Sequence, residues 1–319
     1  MNFFEKRLIK IASLRLIFPA FVKTLQIIRA GKGKKKIIAS LTQHLGDNIA
    51  AEPLDTFLKK QHPEHFFIRV VGKSFAQVVS NNSNIDLIVP VSCLSEWVYL
   101  RPMLRLFYKV YDYHVHKSFC LKYRLSLSNL NAFGIDDANY YNHGNLLQVF
   151  CKCVGVETLN ARPVFRMPNE LAVTGLPSEF AVIHVTSNNE QREWENNKWL
   201  QLIDFFASNG LKVIEVGLKS NLNCTHPAYE DYCGKLSLYE IAWTISKSKC
   251  FVGIDSAFAH FANAFNSPRL ILLGHFNQFT HYLPYSGLTR EEEGRTVIHF
   301  DGPVKNLPFE TVKEKIQIA

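Results

Sequence analysis

Three short stretches of the chain carry residue types suited to a phosphorylated substrate. The first is VGIDSAFAHFANAFNSPRLILLG, residues 252–274, which sets Asp255, Ser256 and His260 at the junction of an apolar strand and an apolar helix. Asp or Ser before a helix is an ordinary N-cap, because its oxygen accepts a bond from a free amide of the first turn. The same place has a chemical use. The amides of Ser256, Ala257 and Phe258 would sit on the positive end of the helix dipole and could bind phosphate oxygens without a side-chain cation. An acid beside a phosphate is unfavourable unless it has another task, such as accepting bonds from sugar hydroxyls. The junction reads as a cap or as a site for a phosphorylated sugar.

The second stretch is IIASLTQHLGDNIAAEP, residues 37–53. Gly46 permits a tight turn and close backbone approach. Asp47 then caps the following helix, or presents a carboxylate to a cleft, with Asn48 beside it. The third is HVTSNNEQREWENNKWL, residues 184–200. A strand ending in Thr186, Ser187 and Asn188, followed by Arg192, suits a diphosphate, since Arg makes charge-assisted bonds to phosphate. The plainer alternative is a polar loop over two packed tryptophans, Trp194 and Trp199. Neither GxGxxG nor GxxxxGK[ST] occurs, so the dinucleotide and P-loop phosphate turns are missing. No DxD triplet occurs either, and the nearest acidic pair, Asp136-Asp137, lies in an irregular region. The expectation is a site with no metal and no resident cofactor, in which Arg192 and a helix N-terminus supply the positive charge.

Elements to position these residues follow from the apolar pattern. Strand-like runs at 36–41, 65–71, 86–91 and 109–115 alternate with helix-like stretches at 47–60, 74–81 and 94–107. After an irregular stretch and a helix near 143–154, a polar, proline-containing linker covers 155–179. A second series follows, with strands at 180–186, 211–217, 250–254 and 269–274 and helices at 196–210, 237–248 and 256–265. Alternation of this kind argues for parallel βαβ units. The expectation is two doubly wound Rossmann-like domains, 36–165 and 166–319, with the C-terminal helix packing back on the first. The cleft at the carboxyl ends of the strands is the default ligand site.

Length and composition agree: 319 residues, 47% hydrophobic and 20% charged, are those of a globular chain. Seven cysteines without a CxxC pair imply reduced thiols of a cytosol. Cys151 and Cys153 read as small apolar helix residues. The formal charge of +8 is uneven: residues 1–36 hold ten Lys or Arg against the single acid Glu5, so the rest sums to −1. A body without a basic patch excludes nucleic acid as the expected partner. Residues 1–35 mix these cations with Phe, Leu and Ile. They read as a helix lying on an anionic membrane face, or as a basic helix packed on the domain. No run of eighteen uncharged apolar residues occurs, so no transmembrane helix is expected.

LGDNIAAEP, REWENNKW and GKLSLYEIAWTISKSKCFVGIDSAFAHFANAF, in this order and separation, resemble glycosyltransferase family 9, the bacterial ADP-heptose:lipopolysaccharide heptosyltransferases, over about residues 36–319. The resemblance implies the two-domain GT-B fold, and an inverting transfer from a nucleotide-sugar, ADP-linked in the leading reading, to a lipid-linked saccharide acceptor. It also implies a cytoplasmic enzyme peripheral on the inner membrane. By resemblance Asp47 is the general base and Arg192 takes the place of the basic residue that neutralises the leaving diphosphate. Ser187 and Asn188 bond phosphate, Asp255 holds donor sugar hydroxyls, and the amides of 256–258 hold the diphosphate. Leu236 packs against the nucleotide base and His260 lines the donor site. Three departures stand out. Ala257 replaces the usual glycine, no acid follows the strand at 211–217, and the basic N-terminal segment is an addition. Another nucleotide-sugar, a protein acceptor, or an idle homologue that binds without turnover are the alternatives.

Overall fold

The structure is a computed structural model and describes residues 11–318. The chain divides into two units, the first ending at Ala161 and the second beginning at Arg162. The division lies four residues before the expected boundary. Residues 11–35 belong to the first unit rather than forming a segment of their own, and residues 1–10 of the basic segment lie outside the described residues.

The first unit opens with a 3₁₀ turn, Leu14–Leu16, running into α1, Ile17–Arg29. Four parallel strands follow, β1 Lys36–Leu41, β2 Phe66–Gly72, β3 Leu87–Val91 and β4 Lys109–Asp112, in the order β3-β2-β1-β4. Alternation along β1 sends side chains to two cores. Ile37, Ala39 and Leu41 pack with α3 (Glu52–Gln61) and α6 (Leu146–Val154), whereas Ile38 packs with α1 and α5 (Leu94–Arg105). Ala20 and Ile27 of α1 are fully buried in the second of these cores. A helix that the sequence left between membrane and domain is thus fixed to the sheet along one face. By length and composition Ile11–Arg29 is also apolar enough to cross a bilayer, although no uninterrupted apolar run foretold it.

The stretch expected as one helix at 47–60 is two. Helix α2 covers Leu45–Ala50 and α3 begins at Glu52. Pro53 explains the break, since its ring has no N–H and would clash with the carbonyl four residues back in a continuous helix. A short helix α4, Ala76–Val79, follows β2. A two-stranded hairpin, β5 Phe119–Cys120 and β6 Leu125–Ser126, occupies the irregular region. Cys151 is buried and Cys153 half-buried on α6, as small apolar residues are.

The second unit holds a six-stranded parallel sheet: β7 Phe180–His184, β8 Lys212–Glu215, β9 Tyr229–Asp231, β10 Cys250–Ile254, β11 Arg269–Leu273 and β12 Val297–His299. Their order is β12-β11-β10-β7-β8-β9, the doubly wound Rossmann order. Helix α7 (Asn196–Ser208) buries Trp199, Leu202, Ile203 and Phe206 on one face of it. Helices α8 (Leu238–Lys247) and α9 (Ala257–Ala264) lie against each other, α8 started by a capping box between Ser237 and Glu240. Helix α10, Arg290–Thr296, precedes β12. The last helix, α11 (Phe309–Lys315), corrects an expectation. Phe309, Val312 and Ile316 join the second unit's own core beside α7, because that core offers them an apolar face. Strands β9 and β12 are three residues each and fell below the length at which alternation can be read.

Candidate functional site

In the second sheet, β7 and β10 are neighbours from which successive connections run in opposite directions. The crevice at the carboxyl ends of such a pair is where doubly wound sheets bind ligands. The chain leaves β7 through Val185–Asn189 and leaves β10 at Asp255. Two of the three chemistry-bearing stretches therefore converge here.

Their meeting point is an ion pair. Arg192, in a 3₁₀ turn Glu190–Arg192, donates from Nη1 to Oδ2 of Asp255 at 3.1 Å, and from Nη2 to Oδ1 of Asn188. Its guanidinium lies over the Phe276 ring at 4.8 Å from the centroid. Asp255 is buried and also accepts from Tyr282 Oη at 3.1 Å and Tyr285 Oη at 3.2 Å. A carboxylate has about four acceptor positions, so three donors leave little for a sugar hydroxyl. The placement makes Asp255 the anchor of Arg192 first. Ser256, not Asp255, caps α9, its Oγ accepting from the Phe258 amide at 3.3 Å.

Two histidines border this site. His184, at the end of β7, donates from Nδ1 to the Val216 carbonyl at 2.7 Å and meets the Phe258 ring edge-on at 4.5 Å. His260, on α9, packs against Tyr285 with ring centroids 4.8 Å apart and the planes tilted, and its Nδ1 is buried without a hydrogen-bond partner. Burial pushes both rings down to about 4, so both are neutral at pH 7. Around them, the Ser187 amide donates to Glu193 at 2.6 Å and Ser187 Oγ accepts from the Asn189 amide at 3.2 Å. Thr186 and Leu236 are half-buried, Leu236 just before the Ser237 cap. Ala257 and Phe258 open α9. Trp194 and Trp199 do pack below this loop, edge to face at 5.1 Å.

Sequence reasoning missed Tyr282, Tyr285 and Phe276. All three lie in HFNQFTHYLPYS, residues 275–286, which follows β11 directly. An aromatic-rich loop after a strand of a parallel sheet falls on the carboxyl edge, and that was the available signal. No acid occurs in residues 218–229, but the last residue of β8 is itself an acid: Glu215 is buried against Ser220 Oγ at 2.7 Å and Tyr229 Oη at 2.5 Å. Burial holds its carboxyl above the usual range despite those bonds.

In the first unit, Asp47 does not cap its helix. His44 holds the cap position, in the left-handed region at φ 52°, and Asp47 is half-buried in the first turn of α2. Gly46 is helical and buried, so the turn's strained backbone falls on His44 instead. Asn48 is buried; its Nδ2 donates to the carbonyls of Gln43 and His44 at 3.0 and 2.7 Å, and its Oδ1 accepts from Arg69 at 3.2 Å. Arg69 in turn pairs with Asp55 at 3.0 Å. The strand side of the same turn is fixed by a second network. The Thr42 amide donates to Nε2 of His114 at 2.9 Å, so Nδ1 carries the proton that bridges to Asp112 at 2.6 Å. Burial alone would raise the Asp112 carboxyl, but His114 and Arg101 together hold it below its ordinary range. Asp47 thus stands on a turn secured at both ends.

Asp136 of the acidic pair is engaged by Lys117 at 2.6 Å. The sequence singled out no metal-ligand cluster, yet His281, Glu293 and His299 in the second unit bring ligand atoms within 4.8 Å of one another.

Comparison with known proteins falls on the same segment. Residues 158–288 match the family described as glycosyltransferase family 9 (heptosyltransferase). Lipopolysaccharide heptosyltransferase 3 of Escherichia coli is 30% identical over 119 residues, 34% of this chain and 35% of the relative. The match thus spans about a third of that relative's length. Among solved structures, the family 9 glycosyl transferase of Veillonella parvula covers 88% of this chain and 95% of its own, at a TM-score of 0.63 and 18% identity. The ADP-heptose lps heptosyltransferase II of E. coli covers 88% and 97%, at 0.62 and 14%. These likenesses establish the GT-B fold class, and residues 158–288, the segment that holds Arg192 and Asp255, are similar to glycosyltransferase family 9 (heptosyltransferase).

Proposed function

We propose that the chain is an inverting glycosyltransferase that moves a sugar, heptose from ADP-heptose in the leading reading, to a lipopolysaccharide or related surface-glycan acceptor. The observation that carries this is Arg192 held against Asp255 at the switch point of the sheet, inside the segment that matches family 9. A cation fixed by a buried carboxylate and an aromatic face is placed before the substrate arrives. That preorganisation is what stabilises charge developing on a leaving group.

In this reading Asp47 takes the proton from the acceptor hydroxyl as its oxygen bonds the donor's anomeric carbon. The bond from that carbon to the diphosphate breaks, and the electron pair leaves with the diphosphate. Arg192 and the amides at the start of α9 offset the added negative charge. His260, neutral and buried, contributes an apolar, uncharged wall.

Release of ADP from ADP-heptose in the presence of heptose-deficient lipopolysaccharide tests the reading. A ligand at 100 times its Kd stabilises a protein by about 2.7 kcal/mol, so a thermal-shift panel of ADP-, UDP- and GDP-sugars runs alongside. Stabilisation by a UDP- or GDP-sugar alone would replace the donor. Stabilisation without turnover on any acceptor would make the chain a binding homologue. No stabilisation and no release would remove the proposal.

A further inference from the structure

Helix Ile11–Arg29 has two apolar faces, and only one is covered. Ser13, Leu16, Ala20, Thr24 and Ile27 are buried on the first unit. Ser13 Oγ meets Tyr99 Oη at 2.7 Å, and Lys23 pairs with Glu96. The other side carries Leu14, Ile17, Phe18, Phe21, Val22 and Ile28, all exposed, Phe18 to 73%. The three- and four-residue spacing from Leu14 to Val22, carried on to Ile28 through half-buried Leu25, makes one stripe. Large contiguous apolar surface of this kind marks an interaction site. At its ends and flank stand the exposed cations Arg15, Arg29, Lys32, Lys34 and Lys35, and residues 11–36 contain no acid.

We propose that this face lies in the plane of an anionic lipid bilayer, with its aromatic and aliphatic side chains at the acyl boundary and its cations among the headgroups. The proposal goes beyond sugar transfer and holds whatever the donor. Charge selects the occupant. A second copy seated on the face by two-fold symmetry would bring like charges together with no acid to meet them, whereas anionic headgroups supply the missing sign. The buried face selects the orientation. At 19 residues the helix measures about 28 Å, close to the hydrocarbon thickness. To span, however, it would have to pull Ala20 and Ile27 out of the sheet's core and take Lys23 away from Glu96. It therefore lies flat.

Deleting the helix would expose that core, so the test uses the full chain and substitutions that point to solvent. Co-sedimentation is measured with phosphatidylcholine vesicles, with and without phosphatidylglycerol, for the parent, for Phe18→Glu/Phe21→Glu and for Arg29→Glu/Lys34→Glu. The parent binds the phosphatidylglycerol vesicles, less at high salt, and alkaline carbonate releases it. The Phe pair lowers partitioning on the order of 100-fold or more, the loss of two buried aromatic contacts, while its melting temperature stays at the parent's. The cation pair lowers binding to the anionic vesicles specifically. In Phe18→Trp, fluorescence shifts to the blue on adding anionic vesicles. Equal binding by parent and Phe pair, or no binding at low salt, overturns the proposal. So does resistance to carbonate, which means a spanning anchor, or vesicle-free dimerisation lost in the Phe pair, which means a second copy covers the face.

Discussion

Arg192 and Asp255 are 63 positions apart in sequence and 3.1 Å apart in space, and they join the turns that leave β7 and β10. One residue carries a positive charge; the other, with two tyrosines, fixes where that charge stands.

Replacing Arg192 by Ala should weaken binding of the nucleoside diphosphate itself. Hydrogen bonds to charged groups contribute about 1.5–3 kcal/mol, so the Kd should rise roughly 10- to 150-fold. Calorimetry with ADP, UDP and GDP reads this directly. An unchanged Kd for whichever nucleotide binds would leave Arg192 as a partner of Asp255 and nothing more.

Asp47→Asn should abolish transfer and spare donor binding. Losing a general base costs on the order of 10²–10⁴ in rate. Asn is close to Asp in size and leaves the first turn of α2 intact. Turnover within a few-fold of the parent would reduce Asp47 to a residue that complements the helix dipole.

Tyr285→Phe removes one donor to Asp255 without removing the ring that packs against His260. Stability should fall by about 1–3 kcal/mol, the cost of a buried charged group losing a partner. Denaturant unfolding of the full chain measures it, and a change below about 0.5 kcal/mol, that of a surface substitution, would mean that Asp255 is satisfied without it.

Acid should destabilise the second unit from about pH 6.5 downward, through two buried histidines. His184 and His260 are held at about 4 in the folded protein, against an ordinary 6.5. Both are depressed bases, so the unfolded chain binds the protons first. Their stabilising contribution is complete above about pH 6.5 and is lost as pH falls toward 4, at about 1.4 kcal/mol per pH unit for each ring. Melting temperatures across that range should drop less steeply in His184→Gln, where one of the two titrations is gone.

Much of this architecture is written in local pattern. Two series of apolar runs, a proline-containing linker and acids at strand ends are enough to place β1, β7, β10 and the turns after them. What pattern could not supply is which oxygen faces which donor. Asp255 and Ser256 are adjacent, and either could cap α9; only the fold shows Ser256 taking the amide and Asp255 turning to Arg192. Tyr282 and Tyr285 have no spacing that separates a core aromatic from a site aromatic. Pro53 lies inside the stretch that apolar spacing makes one helix at 47–60, and that spacing alone carries no mark of the break at Ala51. The N-terminal helix defeated periodicity for a different reason: two apolar faces on one helix erase the contrast on which the reading depends.

That helix also sets an order of events for the growing chain. Ser13 must wait for Tyr99 and Lys23 for Glu96, separations of 86 and 73 residues. The helix is thus synthesised before the surface on which it docks, because its partners lie far along the chain and loop-closure entropy must be offset before such distant contacts form. Until β1 to β3 and α5 exist, both of its apolar faces are open together. During synthesis a chaperone or a nearby bilayer can meet this stretch before its docking surface forms, and the first unit's folding rate, not only its stability, rests on closing that loop.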